Sequence, residues 1–173
     1  RFKKHEAPVM ALYANIVLQA RTEIFYSLLG VPDTVNGRFD MITLHMFVVL
    51  RRLKDIGGDG VKLSQGLFDV MFADLDRNLR EMGVGDLRVG KKVKAFATAF
   101  YGRIKSYDNG VDGLNDETVI DCLKRNLFVD IIPNEEHLKI ISNYLIREIK
   151  ASSNWSITDI ETNNILFGNL LDN

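Results

Sequence analysis

The chain has 173 residues, 46% apolar and 26% charged, with a formal net charge of −1, a balance ordinary for a soluble globular protein. That length supports one domain with a real core and is short for two independent ones. The single cysteine, Cys122, excludes an internal disulfide framework and all but excludes a cysteine-based zinc site.

Charge is unevenly distributed. Residues 1–107 carry 17 Lys/Arg against 11 Asp/Glu, and residues 108–173 carry 5 against 12. A basic half attracts phosphate, anionic lipid or an acidic protein face, and two oppositely charged halves also attract each other within one fold. Apolar runs are short, such as Met46 to Leu50, and none approaches the roughly 18 residues that span a bilayer.

The first expected helix runs from Pro8 to Leu29. Val9, Leu12, Tyr13, Ile16, Ala20, Ile24 and Leu28 recur at helical spacing, and Gly30 follows as a terminator. The second runs from Arg38 to Asp55. It carries one stripe of Phe39, Ile42, Met46, Val49 and Leu53 and another of Met41, Leu44 and Val48. A helix apolar on two sides needs neighbours on two sides, so it belongs at the centre of the fold. The third runs from Lys62 to Met82, with Ser64 as a candidate cap, Leu67, Met71, Leu75, Leu79 and Met82 inward, and Gly83 after its end. Its outer face offers the four-residue pairs Asp76–Arg80 and Arg77–Glu81. The fourth runs from Val89 to Tyr107 on a stripe of Val93, Phe96, Phe100 and Ile104. Shorter helices are expected near Asp116–Phe128, Glu135–Lys150 and Ile157–Phe167. The pattern predicts an all-α, single compact domain of about six to seven helices.

Motifs for chemistry are weak. Gly85-Asp86-Leu87-Arg88-Val89-Gly90-Lys91-Lys92 begins like a phosphate-binding loop, but Lys92 stands where that loop needs Ser or Thr, and a helix precedes it in place of a strand. It reads instead as a corner between two helices, with Asp86 a candidate cap. Asp69, Asp74 and Asp76 invite a metal reading. Asp69 and Asp76 share a face and Asp74 turns away, while Arg77 and Arg80 supply counter-charge. His5, His45 and His137 lack ligand spacing, and His45, inside an apolar helix, reads as a hydrogen-bonded core or groove residue. Cys122 reads as a small buried hydrophobe. Arg51, Arg52, Lys54, Arg88, Lys91, Lys92, Lys94 and Arg103 form basic ground that RNA or a lipid surface would suit.

Several stretches together resemble the ubiquinol–cytochrome c chaperone family. They include Gln19-Ala20-Arg21, Gly30-Val31-Pro32-Asp33-Thr34, Gly37-Arg38-Phe39-Asp40-Met41-Ile42, Leu44-His45 and Leu50-Arg51-Arg52-Leu53-Lys54. The most distinctive block is Asp74-Leu75-Asp76-Arg77 followed by Leu79-Arg80-Glu81-Met82-Gly83-Val84-Gly85-Asp86, continuing to Phe100-Tyr101-Gly102-Arg103. The likeness covers about residues 10–107, and the acidic part, 108–173, resembles the family loosely.

The resemblance implies a non-catalytic assembly chaperone that acts on newly made cytochrome b during assembly of respiratory complex III, with no cofactor. In mitochondria such chaperones pair with a small partner protein and are found near ribosomes at the inner membrane. A bacterial member would work in the cytoplasm, peripheral at the inner membrane. On this reading a groove beside the third and fourth helices, rimmed by Asp69, Asp74, Arg77, Arg80, Glu81, Lys91, Lys92 and Arg103, binds the client. The rival readings are a metal-dependent helical enzyme using Asp69 and Asp76, and an RNA or membrane binder using the basic half.

Overall fold

The computed structural model of the chain describes residues 6–113 and 115–171. These residues form eight helices and no strand: α1 (Glu6–Ala20), α2 (Glu23–Ser27), α3 (Val35–Ile56), α4 (Asp59–Glu81), α5 (Asp86–Asp112), α6 (Asp116–Leu127), α7 (Glu135–Ser152) and α8 (Ile157–Glu161). The six longer helices are those expected from periodicity, and α2 and α8 are five residues each. None of the described helices is long and apolar enough to cross a membrane.

The single helix expected over Pro8–Leu29 is broken at Arg21–Thr22. Thr22 leaves helical geometry at φ −51°, ψ 121°, and its hydroxyl donates to the Gln19 carbonyl at 2.7 Å. The Tyr26 hydroxyl donates to the Ala20 carbonyl at 2.9 Å. Side chains thus replace the helix's own ladder at its last carbonyls. The resulting bend turns Phe25 and Leu29 into the core, both with no exposed surface.

α3 is the central helix. The Thr34 side chain accepts from the Gly37 amide at 3.0 Å and caps it. The helix packs against α1, α4, α5, α6 and α7, as its two apolar stripes require. Gly37 is fixed by contact: a Cβ there would overlap the Pro32 carbonyl oxygen. α4 starts earlier than expected. Gly57 and Gly58 turn the chain at φ 68° and 51°, so Gly58 stands at the N-cap and Ser64 lies inside the helix. At the other end Met82, expected to face inward, is exposed, because the helix stops at Glu81 and leaves Met82 at the C-cap. Aromatic rings knit α3, α4 and α5 together: Phe39–Phe96 at 4.6 Å, Phe68–Phe100 at 5.3 Å and Phe72–Phe100 at 6.0 Å between centroids.

The last expected helix, Ile157–Phe167, is only α8. A capping box between Ser156 and Asp159 starts it, and Asn163 ends it at φ 54°. The following residues form a strap over α1 and α7. Asn15 donates to the Ile165 carbonyl at 3.2 Å, Gln19 to the Gly168 carbonyl at 3.1 Å, and the Gly168 amide to Glu148 at 3.0 Å.

Beneath the strap lies a buried polar relay. His45 Nδ1 is 2.8 Å from the Met41 carbonyl and its Nε2 is 2.8 Å from the Tyr144 hydroxyl. A carbonyl only accepts, so Nδ1 carries the proton and Nε2 accepts from Tyr144. Tyr144 in turn accepts from Gln19 Nε2 at 2.9 Å. Burial drives the imidazole pKa down to about 4, partly offset by the bond to Met41. Cys122 is buried as expected.

Two outcomes follow for stability. Gly37→Ala should cost about 3 kcal/mol in urea unfolding, because the Pro32 carbonyl is backbone and cannot step aside. His45 binds its proton more weakly folded than unfolded. Its contribution is therefore full above about pH 6.5 and lost as pH falls through about 4. The loss should approach about 3 kcal/mol and be missing from His45→Gln, as measured by denaturant titrations across that range.

Candidate functional site

Two clefts flank Phe39, which lines both. The first, about 300 Å³, lies between α1, α3 and α4, with Ile42, Met71 and Leu75 on its floor and Arg21, Arg38, Asp74 and Glu81 among its polar walls. The Tyr13 hydroxyl donates to Asp74 Oδ2 at 2.9 Å, and Arg77 pairs with Asp74 Oδ1 at 2.6 Å. Burial and the adjacent Asp74 carboxylate hold the Tyr13 phenol well above its ordinary pKa.

The second cleft, about 670 Å³, opens between the start of α3, one face of α5 and the loop after α6. Phe39, Ala95, Phe96, Ala99, Leu127, Val129 and Ile131 supply apolar surface, and Asp40, Lys92, Arg103 and Asp130 supply charge. Within it, Arg103 Nε lies 3.0 Å from Asp40 Oδ1 and donates to the Asn126 carbonyl at 3.4 Å. Asp40 is only 6% exposed. Burial pushes its carboxyl up to about 7, and the Arg103 charge pulls it partly back. Beside the cleft, the α6–α7 loop exposes Val129, Ile131 and Ile132, the last almost completely.

The residues expected to rim one groove are divided between these places. Asp74 and Glu81 line the first cleft, with Arg77 tied to Asp74. Arg77 was expected to pair with Glu81 and does not, because Asp74 lies one turn before it and is already fixed by Tyr13. Lys92 and Arg103 line the second cleft. Arg103 is a recessed wall residue, not a rim charge, because Asp40 draws it inward to 19% exposure. Lys91 is exposed on α5 and lines neither cleft. Asp69 is exposed and accepts from Gln65 at 3.1 Å. Arg80 joins Asp76 at 2.6 Å, as expected, and also Asp86.

Periodicity placed Phe39 on an apolar stripe without marking it as a cleft residue, and it did not single out Asp40, Ala95, Ala99, Val129 or Ile131. A usable signal was present in two places: Asp40 is a carboxylate inside an apolar helical stripe, and Ala95 and Ala99 put small residues one turn apart.

The other motifs resolve simply. Asp76 is engaged by Arg80 and Asp69 by Gln65, and among the described residues no group of three or more His, Cys, Asp or Glu could hold a metal ion. Gly85 is the N-cap of α5, with Asp86 in its first turn and not at the cap, and Gly90-Lys91-Lys92 lie inside the helix. α4 and a turn at Gly83, φ 86°, precede them. His45 is in the core, and His5 lies outside the described residues.

The architecture is thus an all-helical domain that presents two open clefts, each with an apolar floor and charged walls. The family model described as ubiquinol-cytochrome C chaperone matches residues 27–167, a stretch that continues past α5 through α8. The crystal structure of the Cbp3 homolog from Brucella abortus superposes with a TM-score of 0.85 at 32% identity, covering 96% of this chain and 91% of that one. Human ubiquinol-cytochrome c reductase complex assembly factor 1 is 26% identical over 152 residues, 87% of this chain and 50% of its own length. Yeast protein CBP3, mitochondrial, is 27% identical over 163 residues, 90% of this chain and 47% of its own length. The chain belongs to the ubiquinol–cytochrome c chaperone family. It spans about half the length of its human and yeast relatives.

The Asp40–Arg103 pair makes stability depend on pH. Asp40 holds its proton more tightly folded than unfolded, so its contribution is full below about pH 4 and lost as pH rises through about 7. The unfolding free energy of the wild type relative to Asp40→Asn should therefore fall by about 4 kcal/mol over that range in urea titrations. A difference that stays flat with pH would show that Arg103 keeps Asp40 ionised throughout.

Proposed function

We propose that this chain is the chaperone module of an assembly factor for ubiquinol–cytochrome c reductase, and that its client is newly made cytochrome b. Its family membership over residues 27–167 carries the reading, together with relatives named as reductase complex assembly factors. The geometry supports it. A polytopic client exposes apolar segments before insertion, and the two clefts beside Phe39 offer apolar surface between charges. The module acts by holding and does no chemistry on its client.

In this reading Asp74, Arg77 and Glu81 orient the client at the first cleft, and Lys92 and Arg103 at the second. Asp69, Arg80 and Lys91 contribute outlying charge on α4 and α5. Apolar contacts supply most of the affinity, and the charges supply register and release. The site of action is the face of the membrane where cytochrome b emerges: the bacterial cytoplasmic side, or the matrix side in a mitochondrion. There a small partner protein or the ribosome adds further contacts.

Immunoprecipitation of the full-length protein during cytochrome b synthesis tests this. Newly made cytochrome b should be recovered, and a strain lacking the protein should lose assembled reductase. Arg77→Glu should weaken recovery about tenfold while the helical circular dichroism is kept. Recovery of ribosomal RNA without cytochrome b, or normal reductase in the deletion strain, would overturn the proposal.

A further inference from the structure

The second cleft carries two separate positive features with an apolar stretch between them. Lys92 and Arg103 both line it, and their separation along α5 corresponds to about 16 Å at the helical rise per residue. Ala95, Phe96 and Ala99 line the cleft between them, at spacings that share one helix face. The two alanines leave room that larger side chains would fill.

Each positive feature has unused capacity. Arg103 engages Asp40 and the Asn126 carbonyl through Nε, and neither terminal amino group makes a hydrogen bond to a described residue. Lys92 pairs with no described carboxylate. The cleft is also lined by Thr34 and Asn36 at the start of α3, the positive end of that helix's dipole. Val129 and Ile131, both exposed, line the cleft as well.

We propose that this cleft binds an extended client segment carrying two acidic residues with a short apolar run between them, one acid at Lys92 and one at Arg103. An extended chain covers about 16 Å in roughly five residues, so acids four or five positions apart reach both anchors. A single carboxylate or phosphate reaches only one of them. A bilayer surface would meet the exposed Lys91 and Lys94 and miss the recessed Arg103. A uniform polyanion such as RNA would also set charge against the apolar stretch of Ala95, Phe96 and Ala99 between the anchors, where the cleft offers it no cation. The inference rests on the client-binding reading above and specifies the segment bound.

The test uses the full chain and a fluorescein-labelled peptide with two glutamates flanking four aliphatic or aromatic residues, beside its glutamine counterpart. Fluorescence anisotropy should show the glutamate peptide binding at least about tenfold more tightly than the glutamine one. Lys92→Glu, at an exposed position, should reduce binding by a similar factor, and Ala99→Trp should abolish it by filling the floor. Arg103→Gln also removes the counter-charge of Asp40, so it is interpreted only if its circular dichroism matches the wild type. Equal binding of the two peptides, or binding untouched by both Lys92→Glu and Ala99→Trp, would overturn the proposal. Association with phosphatidylcholine–phosphatidylglycerol vesicles in the absence of peptide binding would overturn it in favour of a membrane surface. A protein that recovers cytochrome b from cells yet ignores the peptide sinks this inference alone. One that recovers none sinks the functional reading beneath it.

Discussion

Enclosure of α3 by α1, α4, α5, α6 and α7 means that polar groups on its buried faces must find partners inside the protein. Each is solved differently. Thr43 donates back to the Phe39 carbonyl at 2.9 Å, the usual recourse of a buried hydroxyl in a helix. His45 is satisfied on both ring nitrogens by Met41 and Tyr144, at the cost of being held neutral. Asp40 is met by a charge instead, Arg103, brought to it from α5. Desolvating two ions is expensive, and a carboxyl pushed up to about 7 beside an arginine shows burial outweighing the counter-charge. The cleft forms where the sleeve around α3 stays open, at its first turns, so the ion pair stands in the cleft wall.

The same geometry explains the division of charge along the chain. Attraction between the basic and acidic halves is real but local: Arg51 on α3 holds Asp108 at 2.9 Å and Asp112 at 2.7 Å on α5. Arg88, Lys91, Lys92 and Lys94, at the other end of α5, form no ion pair with any described residue. One helix therefore uses its C-terminal half for internal cohesion and presents a basic N-terminal half to solvent. Internal attraction accounts for the first and leaves the second available to a partner.

Most of the fold was legible because its helices are long and amphipathic. Leu63, Leu67, Met71, Leu75 and Leu79 repeat every four residues and are all buried, and the two stripes of α3 placed it at the centre. Local side-chain chemistry was not legible from periodicity. Thr22 breaks α1 from α2 through one hydroxyl bond, though Ile24 and Leu28 keep the spacing of a continuing helix. Ile165 and Phe167 fall within the expected last helix and instead belong to a strap held by Asn15, Gln19 and Glu148, contacts remote in sequence. The site was half legible for the same reason. Surface charges show in a sequence, but which of them share a cleft depends on how Phe39 and its neighbours separate α4 from the loop after α6.

If the chain holds its client as proposed, that separation bears on how it lets go. Lys92 is exposed and pairs with no described carboxylate, so it would attract an acidic segment from a distance and add little affinity once screened by salt. Arg103 is recessed, where a charge-assisted bond is stronger, but it already serves Asp40. A client carboxylate there must share the guanidinium with a resident one, and it gains less than it would from a free arginine. Affinity must then come from apolar contact along Ala95, Phe96, Ala99 and Val129. Such contact is strong while the client's apolar segment faces water and has no advantage once that segment is in the bilayer. On the proposed reading, a cleft built this way would release its occupant on insertion without any chemical step.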